Sequence, residues 1–239
     1  MEIKGKSVLI TGASGGIGSA VSKHIASLGA RMALVARDKS ALKELEEAVP
    51  GSLAIPADVT KAKEAERAIE QAVEKFGRID VLINCAAKTM FARVESINVE
   101  QYESLLDLNV VAPLRLMQLV IPHMRTHGGG TILNISSLSS KRYIPNIAGY
   151  ASTKYALNAL SLTAREELSK DNIVVSIICP YIVNTDFGKN AESPEPAFLR
   201  HAPDGSVLPT VLSPELVAKK VADILKSGEA EMDILPNNP

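Results

Sequence analysis

The sequence predicts a single doubly wound α/β domain, a parallel sheet with helices on both faces. Three observations point to it. Apolar runs of four to six residues alternate with amphipathic stretches of ten or more nearly to the end of the chain. The runs are almost continuous in Val, Ile, Leu and Ala, the pattern of strands covered on both faces. Aromatic residues make up only 4% of the chain and Trp is absent, so the core must be aliphatic.

The first strand is expected at 7–11 and runs into a glycine-rich turn that opens a helix at 17–28. Gly29 follows where a helix end favours a left-handed residue. A second strand at 31–36 and a helix at 39–49 come next, then a strand at 52–56. The helix at 61–76 is preceded by Thr60 as its cap and closed by Gly77. Strands at 81–84 and 131–136 bracket a long apolar helix at 99–126. A helix at 150–170, a strand at 174–179, a helix at 214–227 and a weaker strand at 231–235 complete the series. Ser213-Pro214 supplies an N-cap followed by proline at the first helical position. Strand–helix–strand repetition requires right-handed crossovers and hence parallel pairing. The 239 residues suit one domain, 1–239, with no repeat or linker. The exception is 187–212, rich in Pro, Gly and polar residues, which is expected to be a lid over a substrate site.

Composition excludes several function classes. A net charge of −1 with acids and bases interspersed gives no electrostatic case for nucleic acid or an anionic membrane. The N-terminus lacks the apolar core and cleavage site of a signal peptide. No apolar run approaches the roughly 18 residues of a membrane span. Cys85 and Cys179 are far apart, which argues against a disulfide framework and makes a reducing, cytoplasmic setting the default expectation. The histidines show no ligand spacing, so no metal is expected.

The glycine turn carries the first chemical signal. Gly12, Ser14, Gly15, Gly16, Ile17 and Gly18 follow strand one directly. Glycines there let the backbone turn sharply and approach a pyrophosphate, while the helix N-terminus offers unpaired N–H groups and a positive dipole end. The spacing Thr-Gly-x-x-x-Gly-x-Gly resembles the short-chain dehydrogenase/reductase family, and six further matches recur in the family's order. Asp58-Val59 resembles the acid after strand three that contacts adenine. Asn84-Cys85-Ala86-Ala87 partly matches the strand-four motif, which usually reads Asn-Asn-Ala-Gly. Asn109 resembles the helix asparagine, Ser137 the serine ending strand five, and Tyr150-x-x-x-Lys154 the catalytic pair. Pro180, Val183 and Thr185 match the segment after strand six, with Tyr181 where glycine is usual. The resemblance covers nearly the whole chain and implies a Rossmann-like fold.

These residue types suit reversible hydride and proton transfer at a carbonyl. A free tyrosine titrates near pH 10, too high for an efficient base at neutrality. Lys154 lies one helical turn after Tyr150, on the same face, so its ammonium is expected to favour the phenolate. Ser137 is placed to polarise the substrate oxygen. It is preferred to Ser136 because adjacent strand residues face opposite ways. The resemblance adds that Lys154 binds the nicotinamide ribose, together with Tyr150, and that Asn109 holds a relay water.

Cofactor choice turns on the end of strand two. An acid there would accept from the ribose 2′-hydroxyl of NAD, whereas an arginine would pair with the 2′-phosphate of NADP. Arg37 comes first and Asp38 follows, so NADP is expected over NAD. Substrate walls are expected from Ser137, Ser139, Tyr143, Ile147, Tyr181 and Phe187. A small carbonyl or alcohol is the expected partner, and the resemblance implies a homodimer or homotetramer paired through helices 99–126 and 150–170. A reductase of carrier-bound acyl chains is a rival, for which Lys141, Arg142 and Lys189 would form a basic patch. A non-catalytic dinucleotide sensor of the same fold is the alternative from another class, against which all four catalytic positions are retained.

Overall fold

The computed structural model describes residues 1–191 and 211–236. The expected lid therefore lies mostly outside the described residues. Seven parallel strands form one sheet in the order β3-β2-β1-β4-β5-β6-β7. They are β1 (Ser7–Thr11), β2 (Arg31–Ala36), β3 (Leu53–Pro56), β4 (Val81–Asn84), β5 (Gly130–Ile135), β6 (Ile173–Pro180) and β7 (Glu231–Ile234). The helices are α1 (Gly16–Ser27), α2 (Lys39–Ala48), α3 (Ala62–Phe76), α4 (Val99–Leu106), α5 (Ala112–Thr126), α6 (Ala148–Leu168) and α7 (Pro214–Ser227).

Alternation along each strand divides the core in two. Val8, Ile10, Met32 and Leu34 point to one face, where they pack with α1, α2 and α7 residues such as Ile25, Leu42 and Val221. Leu9, Ala33 and Val35 point to the other, against Ile69 of α3 and Leu116 of α5. Both faces of the central strands are thus dry, which is why the strand sequences carry no polar alternation. Because β1 pairs with β2 on one side and β4 on the other, the order of connection reverses there. Their carboxyl ends diverge at that point and leave a crevice, the usual ligand position in such sheets.

Three local expectations are corrected. The single helix 99–126 is interrupted by a π-helical turn at Asp107–Val111. Pro113 has no N–H to give the Asn109 carbonyl, so the regular ladder cannot continue there. Thr60 does not cap α3; the cap is Lys61, without a side-chain bond, and the Thr60 hydroxyl instead donates to Asp58 at 2.8 Å. The 99–126 stretch is also apolar enough by composition to cross a membrane, although no uninterrupted run signals it. Its inner residues Leu105, Ala112, Leu116 and Val120 are nonetheless packed at 0–1% exposure against the sheet and neighbouring helices.

Opposite the crevice, Asp80 precedes β4 and ties the sheet's amino edge. Its Oδ2 accepts from the Ser7 N–H at 2.9 Å and hydroxyl at 2.8 Å, and Arg78 Nε lies 2.8 Å from Oδ1. Burial alone would raise the carboxyl's pKa, but the two Ser7 donors and the Arg78 and Lys6 charges together hold it below the ordinary value. Asp80→Ala strands those donors and is expected to cost about 2 kcal/mol in urea unfolding. A group with a depressed folded pKa stabilises above its unfolded pKa and loses that contribution as pH falls through the folded one. The gap between wild type and Asp80→Ala should therefore close below about pH 4.

Candidate active site

The glycine turn is dictated by close approach. Gly12 has φ +65°, and a Cβ there would sit 2.7 Å from Ala86 Cα. A Cβ on Gly18 would sit 2.1 Å from the Gly12 carbonyl oxygen, and one on Gly16 would meet Thr185 Cγ2 at 2.4 Å. Gly15 is roomier, with only the Gly12 oxygen at 3.3 Å. No side chain caps α1, so its first N–H groups are left for a ligand. Thr11 contributes in a way sequence reasoning missed. Its Oγ1 accepts from the N–H groups of both Cys85 and Ala86 at 3.2 Å, locking the exit of β4 to the loop. The residue stood in the motif, but its role depends on β1 and β4 being neighbours.

A cleft of about 1550 Å³ runs over the carboxyl edge of the sheet. Gly12, Ser14, Gly15, Gly16, Ile17 and Gly18 lie along it, with Arg37, Asp58, Val59 and Ala86. Farther along come Ser137, Ser139, Ile147, Tyr150 and Lys154, then Pro180, Tyr181, Val183, Thr185 and Phe187. Three predicted positions are not on its wall. Asn84 is buried, and its Nδ2 donates to Asn134 Oδ1 at 2.8 Å beneath the cleft. Tyr143 is 95% exposed and stacks on Tyr155, with ring centroids 6.1 Å apart, over a separate groove. The 3₁₀ turn Leu138–Lys141 ends just before it and leaves Tyr143 outside the cleft.

Asn109 is the third. Its Oδ1 accepts from the Lys88 N–H at 3.0 Å, and its Nδ2 donates to the Lys88 carbonyl at 2.9 Å and to Thr153 Oγ1 at 3.0 Å. The side chain is a staple between the β4 exit loop and α6. Both of its amide hydrogens are committed, so it has no donor left for a relay. Pro113 occupies the regular helical donor position for the Asn109 backbone carbonyl, so that carbonyl lacks its usual i+4 partner.

At the inner wall the Ser137 side chain lies close enough to the Tyr150 hydroxyl to help hold its pKa down. Ser136 is engaged elsewhere. Its Oγ donates to Asn158 Oδ1 at 2.5 Å, Asn158 Nδ2 donates to Ser140 Oγ at 2.8 Å, and Ser140 Oγ donates to the Ser137 carbonyl at 2.6 Å. That network fixes the Ser137 backbone and leaves its hydroxyl toward Tyr150. Phe187 sits edge-on to the Tyr150 ring, at 5.9 Å and 62°.

Lys154 is 2% exposed and donates to the Ile135 carbonyl at 2.9 Å, with Nζ 5.8 Å from the Tyr150 ring centroid. Burial pulls its pKa down to about 8, against the opposing influence of Cys85 and Cys179. Tyr150 goes the other way. Burial pushes its hydroxyl well above the ordinary tyrosine value, and the nearby Ser137 side chain only partly offsets this. The expectation that Lys154 lowers the Tyr150 pKa is corrected in this geometry. The ammonium is turned to the Ile135 carbonyl and itself disfavoured by desolvation, so burial dominates. The Cys85 thiol, pushed up to about 12 by burial, stays protonated beside them.

At the other end of the cleft, Asp38 is committed to α2. Its Oδ1 accepts from the N–H groups of Ser40 at 2.9 Å and Ala41 at 3.1 Å. Arg37 is exposed and lies close enough to Asp58 to help hold that carboxyl below its usual pKa. Burial of Asp58 opposes this shift, and hydrogen bonds from Thr60 outweigh it first. The groups present thus fit a dinucleotide: a backbone cradle no Cβ could share, a positive helix end, and a cation with an acid beyond it.

Comparison with known proteins agrees with this geometry. The family model described as short chain dehydrogenase matches residues 6–196. An uncharacterised oxidoreductase of Methylorubrum extorquens is 36% identical over 190 residues, 77% of this chain and 76% of that one. The 3-ketoacyl-(acyl-carrier-protein) reductase of Brucella melitensis, solved with NADH, superposes with a TM-score of 0.87 at 27% identity over 97% of both chains. A 7α-hydroxysteroid dehydrogenase, solved with NADH and 7-oxo glycochenodeoxycholic acid, gives 0.88 at 26% identity, covering 99% of this chain and 95% of that one.

Proposed function

Since the chain belongs to the short chain dehydrogenase family, we propose that this oxidoreductase interconverts a carbonyl and an alcohol with NADP, Tyr150 acting as general acid in reduction. The observation that carries this reading is that Ser137 and Tyr150 lie together, beside Lys154, on the wall of a cleft that also holds the glycine cradle. NADPH would supply the hydride. Ser137 and Tyr150 hydroxyls converge where a substrate oxygen would lie, so one polarises it and the other donates its proton as negative charge develops. The raised Tyr150 pKa keeps that proton in place across neutral pH. Lys154 positions the ribose and supplies positive charge beneath the ring. The Asn109 backbone carbonyl, which lacks its usual i+4 partner, is the group offered to a proton relay, rather than the stapled side chain. Tyr181 and Phe187 narrow the pocket, with Ile147 and Ser139 on its wall.

Arg37 supports NADP over NAD, because its neighbour Asp38 is spent on capping α2. Both structural neighbours above were solved with NADH, so the preference rests on this pair alone. Fluorescence titration should show NADPH binding more tightly than NADH. Arg37→Ala should weaken NADPH about tenfold or more while leaving NADH within about twofold. Equal loss for both cofactors would sink the assignment. Pairing of copies through α4, α5 and α6 is supported by exposed Val99, Val111 and Tyr155 and is read by light scattering. A cytoplasmic location belongs to the same reading.

A further inference from the structure

Among the described residues, the cations around the substrate end of the cleft are accounted for, with one exception. Lys141 pairs with both Glu231 and Asp233. Arg93 pairs with Glu95 at 2.7 Å, Lys88 donates to Ser104 Oγ at 2.7 Å, and Lys154 donates to the Ile135 carbonyl. Arg142 has no hydrogen bond or ion pair among the described residues. It lines the catalytic cleft and also a neighbouring groove of about 720 Å³, floored by Ile144, Ala148, Ala151 and Tyr155. Arg142 and Ile144 belong to both, so the groove opens off the cleft at that point.

A second observation lies three residues earlier on the same turn. Ser139 is 6% exposed, and its Oγ is buried with no hydrogen-bond partner. Buried hydroxyls are normally satisfied, and an orphan asks for an explanation. The residue also lines the cleft. Rotation about χ1 toward the cleft would break no hydrogen bond, so this hydroxyl is available to a ligand oxygen. The backbone beneath is held by the Ser140–Ser137 and Asn158–Ser140 hydrogen bonds, so the turn presents both groups from a fixed base.

We infer that the turn carrying Ser139 and Arg142 is a subsite for an anionic group of the substrate, a carboxylate or phosphate lying beyond the reacting carbonyl. A guanidinium offers such an anion paired donors, and the Ser139 hydroxyl adds a third. The substrate class is then an oxo acid or a phosphorylated carbonyl compound, with its apolar portion against the Ile144 side of the groove. The argument does not extend to a basic docking patch for a carrier, because Lys141 is neutralised by Glu231 and Asp233.

This inference rests on the oxidoreductase reading, and matched probes separate the two. The pairs are 4-formylbenzoate with its methyl ester, levulinate with its methyl ester, and dihydroxyacetone phosphate with dihydroxyacetone. Wild type and Arg142→Gln would be compared for NADPH-dependent turnover. Binding of the same pairs to the NADP-saturated Tyr150→Phe protein would be followed by calorimetry. In at least one pair the charged member should be preferred, and Arg142→Gln should raise its KM and Kd about tenfold with kcat unchanged. The neutral member should respond less than twofold, and Arg142→Lys should restore part of the loss. A loss confined to the carboxylates or to the phosphate identifies which anion the subsite takes. Equal effects on charged and neutral members in every pair, in turnover and in binding, would overturn the subsite. If Tyr150→Phe turns over the probes as fast as wild type, the oxidoreductase mechanism fails instead, whatever Arg142 does.

Discussion

Replacing Tyr150 with Phe is expected to lower kcat/KM for carbonyl reduction about a thousandfold, the scale of a lost general acid. The cofactor's affinity should stay within about twofold, since the glycine cradle is untouched. Phe retains the ring that meets Phe187 edge-on, so the thermal midpoint should hardly move. Undiminished activity would remove Tyr150 from the chemistry and favour a sensor of the same fold. The pH profile gives an independent readout. Lys154 titrates near 8 because burial disfavours its ammonium, so its charge is present below that pH and lost above it. Reductive kcat/KM should fall above about pH 8, while Lys154→Met should give a low, flat profile across the same range. A wild-type alkaline limb near 10 would mean that the lysine is held charged by something other than the groups around it here. The slope of stability with pH has the same sign as for Asp80, rising with pH, although here the shift reflects a cost to the charged form rather than a gain. A folded pKa below the unfolded one makes burial of Lys154 costly below about 8, and that cost disappears as pH rises towards 10.5.

Gly18→Val is expected to weaken both NADPH and NADH by more than about a hundredfold and to destabilise the fold by about 3 kcal/mol. The reason is specific to its neighbour. A Cβ would lie 2.1 Å from the Gly12 carbonyl oxygen and 2.8 Å from its carbon. Both are backbone atoms that cannot rotate away. Gly15→Ala is the contrasting control, since its Cβ meets only the Gly12 oxygen at 3.3 Å and a few tenths of an ångström of movement suffice. It should bind cofactor within about threefold of wild type. Parallel loss in the two variants would show that the whole turn is sensitive to any side chain, rather than being crowded at one point.

The proposed catalytic constellation was legible because its members sit on elements whose geometry is local. Tyr150 and Lys154 share a helix face by spacing alone. Ser137 was separable from Ser136 by strand alternation, and the structure turns the two hydroxyls to different neighbours, Tyr150 and Asn158. The α/β class followed from near-continuous apolar strands, a direct consequence of covering both faces.

Other features were not local. Thr11 acts only because β1 and β4 are neighbours, although Cys85 and Ala86 lie 74 and 75 residues further along the chain. Asn109 looked like a relay side chain, yet Lys88 and Thr153, 21 and 44 residues away, consume its carboxamide. Tyr143 had the right distance along the chain to line the substrate pocket, but the 3₁₀ turn before it leaves it outside the cleft, stacked on Tyr155.

The sequence by itself determined the seven strands, most of their helical connections, the glycine turn and the placement of Ser137, Tyr150 and Lys154 as candidates, because strand period, helix period and glycine's missing Cβ are properties of short stretches. Only the tertiary structure decided how those groups are charged. Whether Lys154 lowers the Tyr150 pKa, or burial raises it, depends on where the ammonium is tethered and how much water the surrounding layers exclude. The pairing of Lys141 with Glu231 and Asp233, which leaves Arg142 without an ion pair among the described residues, was likewise settled by β7 lying beside β6. Charge states are set by everything within a few ångströms, and the chain brings most of that from far away.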